Sequence, residues 1–207
     1  MSTAILPPAL APGVTRPLTY EEYLTSPVEK SRYDILDGYK IYRRFGASAM
    51  TSPSRLHQET QGNLYVLLRE FAISHRRDQA LMAPCDVLVN TAPLRVRQPD
   101  VLLISRERLD RNPPAHEPSP LNPAPELVVE IVSPSDRPGV LAAKLADYRS
   151  AEVREVWIVH MEAKTIEVVV LSQEAIDTVA TLRTGESVIS RAFPGLVIAV
   201  DAVFAGC

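Results

Sequence analysis

The run Leu127-Val128-Val129-Glu130-Ile131-Val132 is apolar at every position but one. A strand whose side chains are apolar on both parities must be covered on both faces, so this segment predicts a central strand of an α/β fold. Glu155-Val156-Trp157-Ile158-Val159 repeats the pattern as a second buried strand. Between them, Ser133-Pro134-Ser135-Asp136 breaks the first strand and offers a cap. A helix is expected from about Val140 to Ala151, with Leu141, Leu145 and Tyr148 on one face.

The rest of the chain fits a sheet flanked by helices. Thr19 is placed to cap a short helix through Tyr20-Glu21-Glu22-Tyr23-Leu24. Tyr33 to Leu36 and Tyr39 to Tyr42 flank Asp37-Gly38, a pair that supplies the positive φ angles of a tight hairpin turn. From Ser54, Leu56, Leu64, Leu67, Leu68, Phe71 and Ala72 recur at helical spacing. Asp86 to Val89 reads as a strand. Arg95 to Ile104 reads as one long strand that passes from edge to core, and a Pro-rich loop, Asn112 to Pro125, follows it. Thr165 to Leu171 and Thr178 to Leu182 extend the sheet as a meander, and Phe193-Pro194-Gly195-Leu196-Val197 forms a turn.

With 207 residues, 46% hydrophobic and 23% charged, the chain can build one well-cored domain, expected over 18–207 behind a Pro-rich flexible arm at 1–17. The opening lacks the marks of a secretory signal and no stretch is long enough for a membrane span, so a cytoplasmic protein with no membrane partner is expected. Cys85 and Cys207 are too few and too far apart for a disulfide framework or thiolate zinc site, and Cys85 reads as a buried structural thiol. A formal charge of −3 argues against nonspecific coating of nucleic acid. From Lys40 to Arg111, however, 12 basic residues outnumber 7 acidic ones, so one face is suited to a polyanion.

A carboxylate in an apolar strand costs several kcal/mol unless it is paired, protonated or bound to a cation, so Glu130 demands an explanation. A metal supplies one; pairing with a buried arginine is the alternative. Asp100 follows Pro99 where the preceding apolar run begins. Alone it could simply cap a turn. If the two strands are neighbours, both carboxylates face one ion, and such hard oxygen ligands suit Mg²⁺, with Mn²⁺ as a substitute. That ion would activate water and neutralise charge on a phosphodiester. Lys144 lies in the following helix, where its flexible stem could bring an ammonium to the attacking water or the phosphate; otherwise it is a snorkelling surface lysine. His57, at the head of the long helix, is a candidate phosphate contact or a partner of backbone or carboxylate. Asp34 is either a supporting acid or, with Asp37, part of the hairpin turn. Trp157 and Tyr148 read as core aromatics.

Gln98-Pro99-Asp100 followed by Glu130 in a strand resembles the Pro-Asp…(Asp/Glu)-x-Lys nuclease superfamily, which includes many restriction endonucleases. Tyr33 to Gly38, His57, Val129 to Asp136, Lys144 with Tyr148, Glu155 to Val159 and the Phe193-Pro194-Gly195-Leu196 ending resemble the bacterial Uma family of restriction-endonuclease-like proteins over about Leu18 to Phe204. This resemblance implies a restriction-endonuclease-like mixed sheet with an N-terminal hairpin and extra C-terminal strands. It also implies a Mg²⁺-dependent DNA endonuclease using Asp100, Glu130 and Lys144, with Asp34 and His57 in support. Val132 stands where the superfamily has its lysine, a role the family moves to the helix at Lys144. Asp34 replaces the family's usual glutamate. Three functions are open: an endonuclease, a nucleic-acid-binding module without turnover, and an assembly module whose carboxylates only pair with cations. Cutting both strands of a duplex is simplest with two related sites, so a homodimer is expected.

Overall fold

The computed structural model of the chain describes residues 16–27, 29, 32–42, 54–74, 78–132 and 138–207. The chain enters through α1 (Tyr20–Leu24) and a hairpin of β1 (Tyr33–Leu36) and β2 (Tyr39–Tyr42). The long helix α2 (Arg55–Ser74) leads to β3 (Gln79–Met82), β4 (Val87–Thr91), β5 (Leu94–Arg97), β6 (Val101–Ile104) and the short α3 (Arg106–Leu109). The second half runs through β7 (Leu127–Val132), α4 (Pro138–Ser150), β8 (Glu155–His160), β9 (Thr165–Leu171) and β10 (Ile176–Arg183). It ends with β11 (Ser187–Ile189), β12 (Val197–Ala199) and α5 (Val200–Val203).

The apolar run at 127–132 lies inside a six-stranded mixed sheet of order β10-β9-β8-β7-β6-β3. Its neighbour β8 runs parallel, which requires a crossover, and α4 provides it; β6 on the other side runs antiparallel. Both faces are covered, as the continuous apolar pattern requires. Val101, Leu103, Leu127, Val129, Trp157 and Val159 pack beneath α2 and the C-terminal segment, against Leu64, Leu68, Ala72, Val203 and Phe204. Leu102, Ile104, Val128, Val156 and Ile158 pack on the opposite side with Tyr148, Leu141 and Leu145 of α4. The expected helical face of α2 is the one buried, at Leu64, Leu68 and Ala72, with Leu56, Leu67 and Phe71 at its margin.

The N-terminal hairpin does not join this sheet. It belongs to a separate four-stranded sheet, β2-β1-β5-β4, whose small core is Tyr33, Ile35, Leu88, Leu94 and Val96. Its turn has Asp37 at φ 52° and Gly38 at φ 83°. A Cβ on Gly38 would stand 2.5 Å from Pro17 Cβ, so both the conformation and the close approach require glycine. The single long strand expected over 95–104 is two strands in two sheets. Pro99 has no N–H to continue a ladder, and the chain leaves the small sheet after Arg97 and enters the central one at Val101. Strand β3, the ribbon of β11 with β12, and the short helices α3 and α5 are additions to the expected elements; the turn at 193–196 joins β11 to β12. The arm expected over 1–17 lies outside the described residues up to position 15, as does the strand-breaking segment 133–136.

Candidate functional site

Where the chain changes sheets, it presents Asp100. In the β6–β7 ladder Val101 faces Val129, so the next position outward sets Asp100 opposite Glu130; the Asp100 N–H donates to the Val129 carbonyl at 3.2 Å. Both carboxyl residues are only 1% exposed. Asp100 Oδ2 accepts from the Ile131 N–H at 2.7 Å, and Oδ1 accepts from Arg32 Nη1 at 2.6 Å. Helix α2 closes the site with one turn: His57 Nε2 lies 3.6 Å from Asp100 Oδ1, and Gln61, four residues on, donates to the Asp100 carbonyl at 2.8 Å. The His57 N–H is itself held by Ser54 Oγ at 3.1 Å.

Glu130 faces α4, where Lys144 and Tyr148 share one side of the helix at i and i+4. Lys144 Nζ donates to Oε2 at 2.6 Å and Tyr148 Oη donates to Oε1 at 2.5 Å. Among the described residues, the burial cost of the carboxylate is met by an ammonium and a hydroxyl. Tyr148 is a core aromatic, as expected, and also a direct partner of Glu130. Its signal was its place one turn after Lys144. Arg32, which touches Asp100 from 68 residues away, carried no signal in the sequence.

Asp34 stands one step back from the carboxylate pair. Its Oδ1 accepts from the Gln98 N–H and its Oδ2 from Arg97 Nη1, each at 3.0 Å. The Gln98 side chain accepts from the Tyr33 N–H at 3.1 Å and donates to Asp86 Oδ1 at 2.6 Å, while Tyr23 donates to Asp86 Oδ2. The segment before Pro99 is thus pinned to the small sheet on two sides. Burial pushes the Asp86 carboxyl above its ordinary value of 3.8, against the lowering effect of the hydrogen bonds from Tyr23 and Gln98. A raised folded pKa means that ionising Asp86 costs stability as pH rises through that value, whereas below 3.8 both folded and unfolded chains are protonated and no penalty exists. Asp86→Asn is therefore expected to melt higher than the native chain near neutral pH, with the gap closing as pH falls toward 3.8. Thermal melts across this range check it, and a pH-independent gap would remove Asp86 as the cause.

Among the described residues, no group of three or more His, Cys, Asp or Glu side chains is arranged to hold a metal ion. The donor chemistry of two carboxylates on neighbouring segments nevertheless fits Mg²⁺, which commonly takes one or two protein carboxylates and fills its octahedron with waters and phosphate oxygens. No helix among the described residues is long and apolar enough to cross a membrane. Cys85 is half-buried, and burial, with Asp86 beside it, pushes its thiol up to about 12.

This architecture is shared with a crystal structure described as that of "a putative nuclease belonging to DUF820 from Anabaena variabilis ATCC 29413", at a TM-score of 0.67 and 17% identity, over 91% of this chain and 98% of that one. The class defined by the fold is thus an α+β domain with a mixed central sheet. Within it, residues 20–201 match the model of the Uma2 family, described as "Putative restriction endonuclease", and the chain belongs to that family. No curated protein matches the chain.

Proposed function

We propose that this protein is a divalent-metal-dependent endonuclease that hydrolyses DNA phosphodiester bonds. The observation that carries the reading is the pair of buried carboxylates on adjacent chain segments, Asp100 just before β6 and Glu130 in β7, each 1% exposed, with Lys144 on Glu130. Asp100 and Glu130 would hold Mg²⁺ or Mn²⁺, which would activate a water and offset charge developing on the phosphate. Arg32 and the Ile131 N–H fix the Asp100 carboxylate, and Tyr148 fixes that of Glu130. Lys144 Nζ donates to Glu130 Oε2 in the resting chain and is the group placed to donate to the attacking water or a phosphate oxygen when DNA enters. His57 is the phosphate contact from α2, and Asp34 acts by holding Gln98 and Arg97. Two copies forming a homodimer would address both strands of a duplex.

A second reading draws on Arg32 and Lys144 already seated on the two carboxylates: a binding or assembly module in which the acids serve only as ion-pair partners. One experiment separates the two. Purified protein is incubated with supercoiled plasmid DNA under Mg²⁺, Mn²⁺ or chelator, with a mobility shift run in parallel. Nicking that requires the metal is expected. Intact plasmid under both metals, with or without a salt-sensitive shift, would leave the second reading in place.

A further inference from the structure

Helix α4 carries a third polar residue between Lys144 and Tyr148 in sequence, turned toward the small sheet. Asp147 is 7% exposed and receives two arginines from β5. Arg95 Nε donates to Oδ1 and Arg95 Nη2 to Oδ2, each at 3.0 Å. Arg97 Nε donates to Oδ2 at 2.7 Å, and Arg97 Nη2 lies 2.5 Å from the same oxygen. Arg97 is itself only 2% exposed, and its Nη1 bonds Asp34, which holds the Gln98 N–H two residues before Asp100. One continuous polar chain thus runs from the helix that bears Lys144 and Tyr148 to the loop that bears Asp100.

We infer that Asp147 is a positioning residue: through Arg97 and Arg95 it clamps α4 to β5 and so sets Lys144 and Tyr148 against Glu130. Of the apolar side chains that α4 packs on the sheet, Tyr148 is fully buried while Leu141 and Leu145 are only partly so, and the polar contacts of Asp147 add directional restraint to that packing. Arg95 grips both oxygens of Asp147 as a guanidinium fork, and Arg97 Nε adds a second donor to Oδ2, so the two arginines together restrict both the height and the rotation of α4. A charge cluster this buried is a weak source of net stability after desolvation, which leaves geometry as its contribution. The clamp itself stands on these contacts; its consequence for cleavage rests on the endonuclease reading.

The test compares native protein with Asp147→Asn and with Arg95→Gln, the milder change at the more exposed arginine. Brief acetylation read by mass spectrometry reports how firmly Lys144 is held, with Lys164, on the turn between β8 and β9, where it donates to the Cys207 carbonyl, as the internal control. Lys144 acetylation is expected to rise severalfold in both variants, more in Asp147→Asn, while Lys164 stays unchanged. Under Mn²⁺ the maximal cleavage rate should fall by about a hundredfold in Asp147→Asn, the scale of a small misplacement of a catalytic group, at an unchanged half-saturating DNA concentration. Unchanged Lys144 acetylation in a folded variant overturns the inference, as does a loss of cutting that lies wholly in DNA binding. If native protein cuts no DNA while Lys144 acetylation rises in the variants, the clamp is upheld and the endonuclease reading fails. Should Asp147→Asn not fold, Arg95→Gln decides by the same readouts.

Discussion

Asp100→Asn is expected to lower metal-dependent DNA cleavage by about three orders of magnitude, the rate equivalent of losing several kcal/mol of charge stabilisation around the ion. The substitution keeps the shape of the side chain. Its amide oxygen can still accept from Arg32 or the Ile131 N–H, so the loop retains one of the two anchors it has on Oδ1 and Oδ2. What disappears is the negative charge that the proposed metal site would draw from Asp100. Single-turnover nicking under Mn²⁺ measures the effect, with circular dichroism confirming that the variant is folded. A folded variant that cuts within about tenfold of the native rate would exclude Asp100 as a metal ligand.

The second large effect concerns stability and lies outside the candidate site. Glu155 is fully buried at the start of β8, and its carboxylate accepts from Trp157 Nε1 at 2.6 Å, Ser190 Oγ at 3.0 Å, and the N–H groups of Arg191 and Ala192 at 2.7 Å. This one side chain ties the central sheet to the turn that joins β11 and β12. Glu155→Ala leaves four donors without their acceptor at once, at about 1–3 kcal/mol for each that remains buried, so a total of about 4 kcal/mol or more is expected. For a chain of this size that corresponds to a fall in melting temperature of roughly 10 °C. Calorimetry of the purified variant checks it. A fall of only about 2 °C would mean that water replaces the lost acceptor.

How much of this was legible in the sequence depended on whether the signal was local. The central strand was, because a run apolar on both parities has one comfortable environment, and Glu130 stood out against it. The face of α2 was legible through its spacing, and Asp37-Gly38 through the turn it demands. The segment 95–104 misled because its alternation and its apolar run belong to two sheets, and Pro99 marks the joint between them. The pairing of the hairpin with β5, and not with the central sheet, depends on contacts 50 or more residues apart in sequence, as with Arg97 and Asp34. Arg32 on Asp100 and the hydroxyl of Tyr148 on Glu130 are likewise products of tertiary structure. Spacing can nominate an acid; it cannot name the side chain that folds onto it.

Asp100 sits where the polypeptide leaves one sheet for another, and the groups around it come from positions 32, 57, 61, 130 and 131, with 144 and 148 one layer behind. Closing contacts of such long sequence separation is slow and must wait for the strands between them to pair. No fragment emerging during synthesis holds the two carboxylates together with Lys144 before β6, β7 and α4 have all been made. Whatever chemistry the pair performs is thereby withheld from the nascent chain and switched on by the completion of folding itself.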